Sequence, residues 1–100
     1  MNDKTQYRTE SDSLGEVQVP VDAWYGAQTQ RAVNNFPISG RLPDPDFVKA
    51  HVRVKRAAAM ANNQAGWLDD GPARAIANAC DKILAGEYME QFVVDRFQAG

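Results

Sequence analysis

Two long stretches of helical periodicity, each bracketed by its own start and stop chemistry, constrain this chain more than any other feature. Phe47, His51, Val54, Ala58, Ala61 and Ala65 recur at steps of four, three, four, three and four. That spacing puts them on one face of a helix. Asp44 supplies a capping carboxylate, and Pro45 occupies the first helical position, where a missing N–H does no harm. Gly66 fits the stop. Leu68-Asp69-Asp70-Gly71-Pro72 repeats the start, Ala73, Ile76, Ala77, Cys80, Ile83 and Leu84 form a second stripe, and Gly86 ends it. Helices are therefore expected over 45–65 and 72–85, joined by a short loop into an antiparallel hairpin.

The N-terminal part is lighter in signal. Residues 1–6 are polar and aperiodic, which predicts a loose end. Tyr7-Arg8-Thr9-Glu10 is compatible with extended backbone, and Ser11-Asp12-Ser13-Leu14-Gly15 offers turn chemistry. Glu16-Val17-Gln18-Val19 alternates with the two-residue period of a half-buried strand, ended by Pro20. A β-hairpin over 7–19 follows. Within 22–35, Asp22 is placed to cap a short turn through Ala23-Trp24-Tyr25, Gly26 interrupts it, and Thr29 to Asn35 forms a second short helix closed before Pro37. Ile38 to Pro43 is a loop, and 87–100, with Phe92-Val93-Val94, is expected to be extended. The fold class is mainly α: an N-terminal β-hairpin, short helices, then an antiparallel helical hairpin.

Composition sets limits on function. One hundred residues suffice for one domain, and no compositional break divides the chain. A net charge of −2 gives no general attraction to nucleic acid or anionic lipid. No apolar run approaches the roughly 20 residues that span a bilayer, and the first ten residues lack the apolar centre of a signal peptide. Cys80 is the single cysteine, so neither an internal disulfide nor a Cys/His metal cluster is available. The expectation is a cytoplasmic protein. Fifteen alanines, most of them in the second half, favour helix but bury little area. Such helices call for other parts of a larger chain, or a partner. The ending Phe97-Gln98-Ala99-Gly100 has the look of a truncation.

Several residues have functional chemistry and a plainer alternative. Lys49, Arg53 and Arg56, with Lys55 nearby, form a basic stripe opposite the apolar one, suited to an anion but equally to a solvated face. His51, the only histidine, has no His, Cys or Asp companion at helical spacing, and burial with one hydrogen bond is its expected role. Cys80 lies on the apolar stripe as a small hydrophobe. Asp69 and Asp70 are explained by a helix start, and with Asp81, Glu87 and Glu90 they give no paired-carboxylate arrangement. Trp24-Tyr25-Gly26-Ala27-Gln28-Thr29-Gln30-Arg31 is less ordinary. A forked guanidinium beside amides and a hydroxyl suits a carboxylate ligand, though the same groups serve to anchor the hairpin.

Three segments add a resemblance. Asp12 to Pro20, Tyr25 to Val33 and Asn35 to Gly40 resemble the opening of class II fumarases and bacterial aspartases. Lys55-Arg56-Ala57-Ala58-Ala59, Asn62 and Gly66 are similar to that family's first long helix. Ala85-Gly86, Gln91 to Asp95 and Phe97 to Gly100 resemble the approach to its first substrate-binding loop. The wording from Gly26 to Arg31 is closer to fumarases, whereas Phe92-Val93-Val94-Asp95 and Gln98-Ala99-Gly100 are closer to aspartases.

The resemblance implies the first domain of a homotetrameric, cofactor-free lyase. Its reaction is trans addition or elimination of water, or of ammonia in aspartases, across the central carbons of a four-carbon dicarboxylate. A base removes a proton beside a carboxylate, and donors drawn from three subunits hold the resulting dianion. The family's Gly/Ser/Thr-rich substrate loop would begin after Gly100, with its catalytic residues further on. No catalytic residue is therefore assigned in this chain, and Thr29 and Arg31 are the only candidates for substrate contact, on their chemistry alone. Two other possibilities are a stand-alone helical interaction module, which would unfold cooperatively without a partner, and a small enzyme using His51 and Arg31.

Overall fold

The computed structural model describes residues 6–97. The expectations for the first five residues and for Gln98-Ala99-Gly100 lie outside them. The described residues form two compact units where the sequence shows no dividing break: 6–43 with 91–97, and 44–90.

In the first unit, strands β1 (Tyr7–Asp12) and β2 (Gly15–Pro20) pair antiparallel, with Tyr7 opposite Pro20 and Asp12 opposite Gly15. The expected hairpin is present, and its turn is tighter than the sequence suggests. Only Ser13 and Leu14 lie outside the ladder, and Asp12 Oδ1 accepts from the Leu14 N–H at 2.9 Å. The register puts Arg8, Glu10 and Asp12 on the same face as Val17 and Val19, and Val19 is fully buried. Helix α1 (Ala27–Asn35) packs on both strands.

The short turn through Ala23-Trp24-Tyr25 is not helical. The Arg8 guanidinium takes the carbonyls of Pro20, Val21, Ala23 and Tyr25, at 2.8 to 3.0 Å, and among the described residues only that of Pro20 also accepts a backbone N–H, from Ala23, in a single turn. Gly26 is accordingly the N-cap of α1, which starts two residues ahead of Thr29. Residues 38–43 form the expected loop.

The second unit is the helical hairpin of α2 (Pro45–Gln64) and α3 (Asp70–Leu84). The Asp44 side chain accepts from the Asp46 N–H at 2.8 Å, as the sequence predicts. Asp44→Ala should cost about 1 kcal/mol in denaturant unfolding, the usual worth of such a cap, with Asp44→Asn nearly neutral. Both helices close alike. Gly66 at φ +82° sends its N–H to Asn63 while Trp67 reaches Asn62, and Gly86 at φ +98° and Glu87 do the same to Ile83 and Lys82. Only glycine takes that left-handed position without a Cβ penalty, so the stops inferred from Gly66 and Gly86 follow from backbone chemistry.

Beyond Gly86, 87–97 is not the extended segment the sequence suggests. Tyr88 stands at φ +64°, and Met89–Gln91 form a single 3-10 turn.

The face of α2 used against α3 also differs from expectation. Val48, Val52 and Ala59 are buried with Ala73, Ala77 and Cys80 of α3. Phe47, His51, Val54, Ala58 and Ala61 are exposed. Arg56 and Asn63 hide the true stripe from a pattern rule, because both are polar. Their needs are met locally: Arg56 Nε donates to Asp81 Oδ1 at 2.8 Å, and Asn63 Nδ2 to Leu68 O and Asp70 Oδ1. On α3 the expected stripe faces inward at Ala73, Ala77 and Cys80, while Ile76 stays largely exposed. Cys80 is a buried free thiol, as its place on the stripe suggests.

Among the described residues, no helix is long and apolar enough to cross a membrane.

Candidate functional site

Arg31, the sequence's candidate for a carboxylate ligand, is turned back onto the hairpin. Its Nε donates to Asp12 Oδ2 at 2.8 Å and its Nη2 to Gly15 O at 2.9 Å. The Asp12 partner raises the Arg31 pKa, and the same hydrogen bond is the main reason that Asp12 sits below the ordinary carboxylate value. The pair is partly shielded, with side chains 23% and 15% exposed. Arg31 thus has two of its donors committed to holding α1 on the strands.

Thr29 is half-buried and makes no side-chain hydrogen bond among the described residues. Two residues apart on a helix, Thr29 and Arg31 leave the axis about 200° apart and cannot face one ligand together. Gln30 donates to Asn34 Oδ1 at 3.1 Å, and its own Oε1 is buried without a partner. The segment from Trp24 to Arg31 therefore does not converge on a point.

His51 is not buried. It is exposed on α2, its ring meeting Phe47 edge-on at a centroid distance of 4.6 Å. Of the basic stripe, Arg56 lies against α3, and the Asp81 carboxylate raises its pKa. Among the described residues, Lys49, Arg53 and Lys55 have no acidic partner. Among the described residues no three His, Cys, Asp or Glu side chains gather as a metal site would require.

The most constrained polar cluster is one that residue chemistry alone did not single out. Asp95, buried, accepts from the Ser39 N–H at 2.9 Å, the Ser39 hydroxyl, the Gly40 N–H at 2.9 Å and the Phe97 N–H at 2.9 Å. The Ser39 Oγ accepts in turn from the Arg41 N–H, and Arg96 Nε donates to Leu42 O at 2.8 Å. The Phe97 N–H, followed by the Ser39 and Gly40 donors, holds the Asp95 carboxyl down at about 2, although burial pushes the other way. This clasp pins 95–97 to the loop at 39–42. The available sequence signal was the Ser-Gly pair, whose hydroxyl and adjacent N–H groups suit a carboxylate, but their partner lies 56 residues on.

A family model described as Lyase matches residues 15–100. The chain belongs to that lyase family. It is 58% identical over 94 residues to the class II fumarate hydratase of Halobacterium salinarum, covering 94% of this chain and 20% of that one. It is 44% identical over 100 residues to the aspartate ammonia-lyase of Bacillus subtilis, covering all of this chain and 21% of the relative. Among solved structures, the native form of the fumarate lyase:delta crystallin of Brucella melitensis aligns with a TM-score of 0.86 and 49% identity, over 91% of this chain and 21% of that one. The chain spans about one fifth of the length of the relatives it matches. The fold class expected from the sequence is the one that these lyases share over this stretch.

Proposed function

We propose that this chain is the N-terminal scaffold of a lyase that interconverts fumarate and malate by trans addition and elimination of water. The observation that carries it is the 58% identity to a class II fumarate hydratase over 94 residues, together with the shared fold. Elimination from such a substrate removes a proton beside a carboxylate and leaves a dianion. That species needs preorganised donors where the charge develops. Among the described residues, the guanidinium forks of Arg8 and Arg31 are spent on backbone carbonyls and ion pairs, and Lys49, Arg53 and Lys55 project from a single helix. The chain's contribution is therefore positional, and it is inactive alone. Thr29 and Arg31 are the two residues of this stretch proposed for substrate contact, with Arg31 also holding Asp12 and Gly15.

The whole enzyme is proposed to be a cytoplasmic homotetramer of the tricarboxylic acid cycle that needs no cofactor. A second reading, ammonia elimination from aspartate, is favoured by Asp95 and its flanking Phe92-Val93-Val94 and by the similarity to aspartate ammonia-lyases. Assay of the full-length protein decides between them. Hydration of fumarate to malate, with no ammonia released from aspartate, is the expected result; ammonia release without hydration would transfer the assignment to the aspartase reaction.

A further inference from the structure

Among the described residues Asp95 is the one charged side chain that is buried, at 8% exposed, and it forms no ion pair there. Its partners are neutral donors, and its two oxygens are committed to different segments. Oδ2 accepts from the Ser39 and Gly40 N–H groups of the loop, each at 2.9 Å. Oδ1 accepts from the Phe97 N–H at 2.9 Å, two residues ahead in its own chain. The Ser39 hydroxyl reaches both oxygens, at 3.0 and 2.9 Å. One planar carboxylate thus ties the backbone of the loop to the direction in which the chain leaves Phe97. The stretch before it is held as well. Gln91 Oε1 accepts from the Trp24 N–H at 2.8 Å, the Arg96 N–H donates to Arg41 O at 3.3 Å, and Arg96 Nε donates to Leu42 O. Burying a lone carboxylate is costly, and buried charge is a weak source of stability. What it adds here is a single geometry.

We infer that Asp95 is a positioning residue for the lyase reaction, setting the path of the main chain at 95–97 and with it the placement of the groups carried by the chain that follows. The inference rests on the proposed function, in which the donors that hold the dianion belong to the rest of a protein about five times as long as this stretch. The chain heads toward that remainder as it leaves the clasp at Phe97. Small errors there are amplified with distance. Three extended residues cover ~10 Å, so a swing of about 20° at Phe97 displaces what they carry by ~3.5 Å. A misplacement of ~1 Å at a reacting centre costs about a hundredfold in rate. Aspartate is the side chain that meets both demands of the clasp. Glutamate is one methylene too long for the turn to Phe97, and asparagine keeps one acceptor but turns an NH₂ group toward donors.

The test uses full-length protein and follows turnover and backbone protection together. In Asp95→Asn, kcat for fumarate should fall at least about thirtyfold with KM within about threefold, because misplacement weakens the transition state more than substrate binding. Amide exchange just beyond residue 97 should accelerate along with that of Ser39 and Gly40. Asp95→Glu should rescue neither. Ser39→Ala removes the hydroxyl and leaves the three amides in place, so its kcat should fall about fivefold. Full kcat in an Asp95→Asn protein whose Ser39 and Gly40 amides exchange faster would overturn the inference, and so would unchanged exchange beyond residue 97. Should Asp95→Asn fail to fold, a wild-type kcat in Ser39→Ala would overturn it instead. A wild-type enzyme that releases ammonia from aspartate, or turns over neither substrate, removes the proposed reaction. The kcat comparison then moves to aspartate, and exchange beyond residue 97 judges the clasp in either case.

Discussion

Arg8→Ala is expected to lower the unfolding free energy by about 3 kcal/mol in a denaturant titration. Nη1 of Arg8 meets the carbonyls of Pro20, Val21 and Ala23, Nη2 meets that of Tyr25, and Nε holds Glu10 at 2.7 Å. Four carbonyl oxygens are gathered around one cation, and removing it leaves them facing one another with only water to separate them. The side chain is 30% exposed, so water offsets part of each charge-assisted bond, and the total falls well below a simple sum. Arg8→Lys should restore less than half, because an ammonium is a point donor and cannot span the fork. A loss under about 1 kcal/mol for Arg8→Ala would mean that the segment from Pro20 to Tyr25 is shaped by something else.

Asp95→Ala should release the loop at 39–42. The amides of Ser39, Gly40 and Phe97 all donate to this carboxylate, and each would be left without its partner. Amide hydrogen exchange at these three positions is expected to accelerate by at least about tenfold, while the amides within α3 keep their protection. Asp95→Asn should do nearly as badly, since its NH₂ group would face donors. Unchanged exchange at Ser39 and Gly40 would contradict the clasp.

The same group predicts an acid sensitivity of definite sign. Asp95 titrates at about 2 in the folded chain against 3.8 ordinarily, and Asp12 is lowered too. A carboxyl lowered by folding contributes its full stabilisation above the ordinary value and loses it as pH falls through the folded one. Stability should therefore hold to about pH 4 and decline toward pH 2, and Asp95→Asn should flatten that decline.

The legible parts of the fold were those written in local chemistry. Asp44-Pro45, Gly66 and Gly86 act within a turn of their own position, and the structure places them as the sequence suggests. The alternation of Val17 and Val19 likewise marks a strand with one side inward. What failed depended on partners far along the chain. The inner face of α2 is hidden from a pattern rule because Arg56 and Asn63 are polar, and their suitability for an inner edge depends on Asp81, Leu68 and Asp70. The segment after Pro20 departs from a helical turn because its carbonyls belong to Arg8, on another strand. Arg31 was recognised as chemically capable, but nothing in its neighbourhood reveals that Asp12 consumes it. Asp95 was invisible as a hub for the same reason.

The most direct test is to give the 100-residue chain fumarate, then fumarate with ammonia, and follow both by proton NMR. No malate or aspartate should form beyond the protein-free rate, because the proposed function assigns this chain a scaffold and not the groups that would hold the dianion. Catalysed formation of either product by this chain alone would contradict that.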